Sequence, residues 1–101
     1  MATGGKREEI DAKIKAWERE LERARLALAR APDAVHERHH STFTEVYRAK
    51  EIVKSRWEAV RGVYHPEPAA IQRLQDALEV MEKAWAIAQP MFAGMLNSPA
   101  A

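Results

Sequence analysis

Apolar residues recur along this chain at alternating spacings of three and four, in three separate stretches that each hold one tryptophan. The stretches cover residues 10–31, 43–64 and 71–95. Because an α-helix turns once in about 3.6 residues, this spacing places the apolar side chains of each stretch on one face. The sequence therefore predicts three amphipathic helices that pack against one another.

The face that carries this repeat is the predicted inward face of each helix. In the first stretch it consists of Ile10, Ile14, Trp17, Leu21, Ala24 and Leu28. In the second stretch it consists of Phe43, Val46, Val53, Trp57, Val60 and Tyr64, and Lys50 interrupts it. In the third stretch it consists of Ile71, Leu74, Leu78, Met81, Trp85, Ala88, Phe92 and Met95. Since large apolar side chains at such positions are usually buried, we expect the core to contain Ile14, Trp17, Leu21, Val53, Trp57, Leu78 and Trp85.

Prolines mark the breaks between the predicted helices. Pro32 disfavours helical geometry in the residue before it, so the first helix should end near Arg30 or Ala31. Pro66 and Pro68 separate the second helix from the third. Short connections force antiparallel neighbours, so we predict an all-α, single-domain antiparallel three-helix bundle or coiled coil. The predicted helices span residues 6–31, 34–63 and 67–96, with flexible ends at 1–5 and 97–101.

Two structural alternatives stay open at this point. Residues 34–44 either continue the second helix from Asp33 or are irregular, with Thr42 and Glu45 as a capping box at a later start. The chain could also form one long kinked helix from residue 6 to residue 63, a helical hairpin completed by oligomerisation. In the bundle, the rise per residue predicts that Trp17 and Trp57 share a layer and that Trp85 lies much higher.

Composition limits the classes of function. The net charge is only +1 although 31% of the residues are charged, so no overall field attracts nucleic acid, and we expect no nucleic-acid partner. Cysteine is absent, which excludes disulfides and thiolate ligands and fits a reducing compartment. No apolar run approaches the roughly 20 residues of a membrane-spanning helix. We therefore expect a cytoplasmic protein with no transmembrane segment and no cofactor.

Residues 36–40 match the zinc-site pattern H-E-x-x-H, in which two imidazoles one helical turn apart bind the metal and the glutamate activates water. The extended pattern requires glycine and histidine where this chain has Phe43 and Val46. Glu58 could be a third ligand only if a second helix returned alongside the motif, and it belongs to the same predicted helix. We therefore predict neither catalytic residues nor an enzyme. His36 and His40 remain weak candidates for metal binding, since they share a face if this segment is helical.

The third stretch carries the strongest interaction signal, because its apolar surface extends beyond one stripe. The predicted interaction surface consists of Ala77, Val80, Ala84, Ile87, Met91, Phe92, Met95 and Leu96. We expect a small helical structural or interaction module that self-associates through this helix or binds a helical partner. The alternative is an amphipathic binder of a lipid or storage-granule surface. A small helical enzyme or metal binder that uses residues 36–40 is the third hypothesis.

Two resemblances bear on these hypotheses. Residues 6–21, with Tyr47 and with Trp85 seven residues before Phe92, resemble a group of short bacterial coiled-coil proteins of uncharacterised function, which implies a helical, cytoplasmic protein without an assigned activity. Residues 7–11 also resemble the opening of the all-helical chorismate mutases. That family needs an arginine and a lysine on the inward face of its first helix. This chain carries Ala24 and Leu28 there, so the second resemblance does not extend to the active site.

Overall fold

The computed structural model describes residues 2–96, with side chains described from residue 7 onward. This part of the chain forms three α-helices of 29 residues each: α1 (Ala2–Arg30), α2 (Asp33–Arg61) and α3 (Pro68–Leu96). It contains no strand. The predicted all-α three-helix bundle is confirmed, and its principal extents are 51, 22 and 18 Å. The alternative of one long kinked helix from residue 6 to residue 63 is excluded, because α1 ends at Arg30 and α2 packs back on it, with Lys54 Nζ 3.1 Å from Glu18 Oε2.

The chain turns between α1 and α2 at Pro32, whose φ of −58° and ψ of 155° are extended rather than helical. Its carbonyl oxygen accepts hydrogen bonds of 3.0 Å from the amides of both Val35 and His36, so the first turn of α2 has an acceptor for these donors. From Asp33 onward α2 is continuous. Residues 34–44 are therefore helical, and the predicted capping box at Thr42 does not begin a helix.

The ends of the helices differ from the predicted bounds. α1 begins at Ala2 rather than residue 6, so residues 2–5 are helical. Once a helix is nucleated, each added residue gains a backbone hydrogen bond, which extends α1 through glycines of low helix propensity. α2 ends at Arg61, two residues early, and Gly62 follows as its cap. Met1 and the predicted flexible end at 97–101 lie outside the described residues.

The core lies along the shared axis of the helices, and the contact of α2 with α3 is the most extensive. Its buried apolar residues are Ile14, Trp17, Leu21, Ala24, Leu28, Val46, Ala49, Val53, Trp57, Val60, Leu74, Ala77, Met81, Ala88, Phe92 and Met95. Tyr64, which the sequence places on the inward face of the second helix, is 88% exposed. It lies in the α2–α3 connection, three residues after the end of α2, so the helical repeat no longer sets its position.

The height of Trp85 along the bundle also differs from the prediction. Lys13 Nζ of α1 lies 2.7 Å from Glu82 Oε1 of α3, so these two residues are at similar heights. α1 and α3 run in the same direction. Trp17 comes four residues after Lys13, and Trp85 comes three residues after Glu82. The two tryptophans therefore lie at similar heights, and the prediction that Trp85 lies much higher is wrong.

Candidate functional site

Large apolar side chains are exposed where α2 and α3 lie side by side. Ile52 is 49% exposed, Val80 is 60% exposed and Ile87 is 70% exposed. Val80 and Ile87 are seven residues apart, which places them on the same face of α3, two turns from each other. An isolated exposed apolar residue is common on protein surfaces. An aligned pair beside a third apolar side chain is a candidate for contact with another molecule.

A groove of about 270 Å³ runs between α2 and α3 at this place. Its lining consists of Ala49, Ile52, Arg56, Arg73, Asp76, Ala77 and Val80. We call these residues, together with Ile87, the outer face. Ala49 and Ala77 are buried at the base of the groove. Small side chains let a further helix approach closely, because the distance between packed helices depends on the residues at the contact.

Charged side chains of both signs flank the groove. Arg56, Arg73 and Asp76 form no ion pair with any other residue that the structure describes, although Asp76 Oδ1 accepts a hydrogen bond of 2.9 Å from Gln72 Nε2. A centre of apolar and small residues with a charged rim is the common arrangement of protein–protein interfaces.

The predicted interaction surface must be corrected at three residues. Ala77, Phe92 and Met95 are buried in the core of the bundle itself, because α3 packs against both other helices and uses much of its apolar circumference there. Ala84, Met91 and Leu96 are half-buried, and only Val80 and Ile87 are well exposed. Sequence reasoning missed Ile52. The sequence does contain an indication of it, because Ile52 is a large apolar residue that lies outside the predicted inward face of the second stretch.

The predicted core residues occupy two environments. Ile14, Trp17, Leu21, Val53 and Trp57 are buried, whereas Leu78 and Trp85 are half-buried and pack against the core from its edge. The Trp85 ring lies 6.0 Å from the ring of Phe92, centroid to centroid.

Lys50, which interrupts the second predicted inward face, is only 4% exposed. Its Nζ lies 3.2 Å from Glu51 Oε1, 4.0 Å from Glu18 Oε2 and 4.3 Å from the centroid of the Tyr47 ring. The hydrogen bond from Lys50 lowers the pKa of Glu51. Because both carboxylates are partly exposed, they hold the ammonium at the boundary of the core, while its alkyl stem lies inside.

The histidines of residues 36–40 divide between two faces of α2. His36 and His40 are exposed, and their rings stack with centroids 5.2 Å apart and planes inclined by 14°. His39 is half-buried, and its Nδ1 has no hydrogen-bond partner among the described residues. In the described part of the chain, no group of three or more His, Asp or Glu side chains is arranged to hold a metal ion. The third ligand that a zinc hydrolase needs is therefore not supplied by these residues.

At the end of the bundle that carries the α2–α3 connection, the helices enclose an open cavity of about 540 Å³. Apolar side chains from all three helices line it, among them Ile10, Trp57 and Leu74. Tyr64 and Ile71, which also line the cavity, and the neighbouring Val63 expose apolar surface at this tip. Charged side chains of both signs, including Arg7, Glu9 and Lys13, surround the opening.

Comparisons of the chain with protein-family models, with curated proteins and with solved structures gave no match. The helical character implied by the resemblance to short bacterial coiled-coil proteins is present in the structure, and the relationship itself remains a hypothesis. Within residues 2–96, none of the helices combines the length and the apolar character needed to cross a membrane.

Proposed function

We propose that this chain is a helical interaction module that self-associates through the outer face of α2 and α3. The observation that carries the proposal is the exposure of Val80 and Ile87, two turns apart on α3, beside a groove with an alanine base. The predicted interaction helix is retained in this proposal. Its contact residues change, because the surface now includes Ile52 and excludes the buried residues of α3.

The energy available from this surface predicts weak association. Burying a Val or Ile side chain completely contributes about 1.5–3 kcal/mol, so Ile52, Val80 and Ile87 at their observed exposures would contribute about 4 kcal/mol per copy. Two copies together would contribute about 8 kcal/mol, which is comparable with the cost of association, about 4–15 kcal/mol. We therefore expect a reversible oligomer whose population depends on protein concentration.

A second copy of the chain also suits the charges of the outer face. In a two-fold contact the same patch faces itself, so a patch that carries both signs can pair with its own copy. Asp76 of one copy would then face Arg56 or Arg73 of the other. These contacts would set the orientation of the two copies more than their affinity.

Sedimentation equilibrium over a range of concentrations tests this proposal. We expect the wild-type chain to self-associate, and the variants Val80→Glu and Ile87→Glu to weaken association at least tenfold because each places a charge in the contact. Both positions are exposed, so the bundle should remain folded, which circular dichroism checks. Tyr64→Glu is the matched control, since it makes the same change in charge at the tip. A wild-type chain that stays monomeric at millimolar concentration would overturn the proposal.

We retain a second candidate function, attachment to a lipid or storage-granule surface. The observation that favours it is the exposure of Val63, Tyr64 and Ile71 at one tip, next to the open apolar cavity. Exposed aromatic and aliphatic side chains at one end of a molecule can enter the boundary of a lipid layer.

Co-flotation with phosphatidylcholine vesicles separates the two candidates. Attachment through the tip predicts that the wild type and Ile87→Glu float with the vesicles and that Tyr64→Glu does not. Absence of the wild type from the vesicle fraction would eliminate this second candidate, and it would leave the self-association proposal unaffected.

A further inference from the structure

We propose that His36 and His40 form a two-imidazole binding site for a late first-row divalent metal ion such as Zn²⁺ or Ni²⁺. Both side chains are exposed, they lie on adjacent turns of the continuous helix α2, and their rings already face each other. The site is independent of the outer face, which uses other residues of α2.

The geometry of the pair suits chelation. Metal–imidazole bonds of about 2.0–2.1 Å with an angle near the tetrahedral value require donor nitrogens about 3.3 Å apart. The ring centroids of His36 and His40 are 5.2 Å apart. In the stacked arrangement the in-plane lone pairs of the two imidazoles do not converge on one point, so chelation requires a change of side-chain torsion that turns one nitrogen of each ring toward the ion. Exposed side chains exchange torsions readily.

The chemistry of the donors determines which ions would bind. Imidazole nitrogen suits zinc, nickel and copper, whereas magnesium and calcium prefer oxygen ligands. Two exposed imidazoles place little constraint on the coordination geometry of the ion. We therefore expect nickel to bind more tightly than cobalt, as in the intrinsic affinity order of the divalent ions. Because the described residues contribute only two ligands, water would complete the coordination. We assign binding to this site and no reaction.

Metal binding at this place would stabilise the beginning of α2. Pro32 precedes the helix and makes no side-chain cap hydrogen bond, so the first turns rely on backbone contacts. A metal ion held by His36 and His40 would connect two successive turns. Since the ion needs both imidazoles on a helical turn, it binds the folded state preferentially, and it should raise the unfolding temperature as its concentration increases.

Isothermal titration calorimetry with Zn²⁺ and with Ni²⁺ tests the site. We expect one ion per chain, and an affinity at least about tenfold lower in His36→Gln and in His40→Gln, because each removes half of the protein ligands. His65→Gln is the matched control, since it removes an exposed imidazole at the other end of α2. Mg²⁺ at the same concentration should give no heat of binding.

Two further variants test the role of the individual side chains. His40→Cys should retain zinc binding, because a cysteine thiolate is also a good zinc ligand. Glu37→Gln should leave the affinity unchanged, because Glu37 is not one of the proposed ligands. Circular dichroism confirms that each variant is helical. Absence of zinc binding by the wild type at millimolar concentration, or an equal loss of affinity in His65→Gln, would overturn the proposal.

Discussion

The most unusual residue of the bundle is Lys50, a charged side chain at a position where the helical repeat calls for an apolar one. Its ammonium reaches Glu51 and Glu18 at the edge of the core, and it lies over the Tyr47 ring. Both carboxylates remain partly exposed and would stay hydrated without it. Lys50 therefore differs from a fully buried ion pair, in which the removal of one partner leaves a buried charge behind.

This difference leads to a prediction for Lys50→Met. The methionine keeps the packing of the alkyl stem and avoids desolvation of the ammonium, so we expect the free energy of unfolding to rise by up to about 2 kcal/mol. Urea denaturation measures the change. Lys54→Met is the control, because Lys54 bonds Glu18 from a partly exposed position, and its change should stay within about 0.5 kcal/mol. A clear loss of stability in Lys50→Met would contradict the argument.

The charged residues also predict how stability varies with pH. A hydrogen bond from Lys50 lowers the pKa of Glu51 below its ordinary value of 4.5, so this stabilisation is present at neutral pH and is lost as the pH falls through the lowered pKa. A hydrogen bond to Glu82 raises the pKa of Lys13 above its ordinary value of 10.5, so its contribution is present below pH 10.5 and is lost at higher pH.

We therefore expect the unfolding temperature to fall as the pH decreases below 4.5 and as it increases above 10.5, with small changes because these groups are close to solvent. Thermal unfolding followed by circular dichroism measures both limits. In the Glu51→Gln variant the decrease of the unfolding temperature at acidic pH should be smaller than in the wild type. An unfolding temperature that increases on acidification below pH 4 would contradict this assignment.

At the scale of the element, α3 contains Pro90 well inside its bounds. Proline has no amide hydrogen, so the helical bond to the carbonyl of Ala86 cannot form, and the ring crowds that carbonyl. Pro68 occupies the first position of the same helix, where the missing amide hydrogen would have no helical partner in any case. The two prolines of one helix therefore differ in their effect on its stability.

Replacement of each proline by alanine measures this difference. Proline is about 3 kcal/mol less favourable than alanine in a helix interior, and its restriction of the unfolded chain offsets about 1 kcal/mol, so we expect Pro90→Ala to stabilise the protein by about 2 kcal/mol. Pro68→Ala should change stability by less than about 0.5 kcal/mol. Urea denaturation of both variants is the test, and equal effects would show that Pro90 does not strain α3.

At the scale of the whole molecule, the bundle is long and thin. Its radius of gyration is 15.7 Å, whereas a compact domain of 100 residues has about 13 Å. Three helices of 29 residues that lie side by side leave the outer side of each helix pair without cover. On the α2–α3 side this uncovered region contains the outer face, which we propose as the contact with a second copy.

Self-association of a folded chain makes its stability depend on concentration, because the oligomer removes folded chains from the unfolding equilibrium. We expect the unfolding temperature of the wild type to rise when the concentration increases a hundredfold, and that of Ile87→Glu to stay constant. Differential scanning calorimetry at both concentrations makes the comparison. A wild-type midpoint independent of concentration would contradict self-association in the tested range.

Part of the candidate site could be predicted from the sequence. Val80 and Ile87 belong to the predicted surface and are exposed, but Ala77, Phe92 and Met95 belong to it as well and are buried. Periodicity indicates that α3 is apolar around much of its circumference. It does not indicate which sides the neighbouring helices cover. That His36 and His40 share a face followed from their spacing once the segment was helical, whereas the stacking of their rings is seen only in the structure.

The sequence by itself determined the three helices and the break at Pro32, because helical periodicity and the backbone restriction of proline act over a few residues. Only the tertiary structure decided that Ile52 lies beside Val80 and that Trp85 stands level with Trp17. These relations depend on how each helix is rotated and shifted along the bundle. Both the rotation and the shift depend on packing between side chains that are far apart in the sequence, so the local spacing of apolar residues does not predict them.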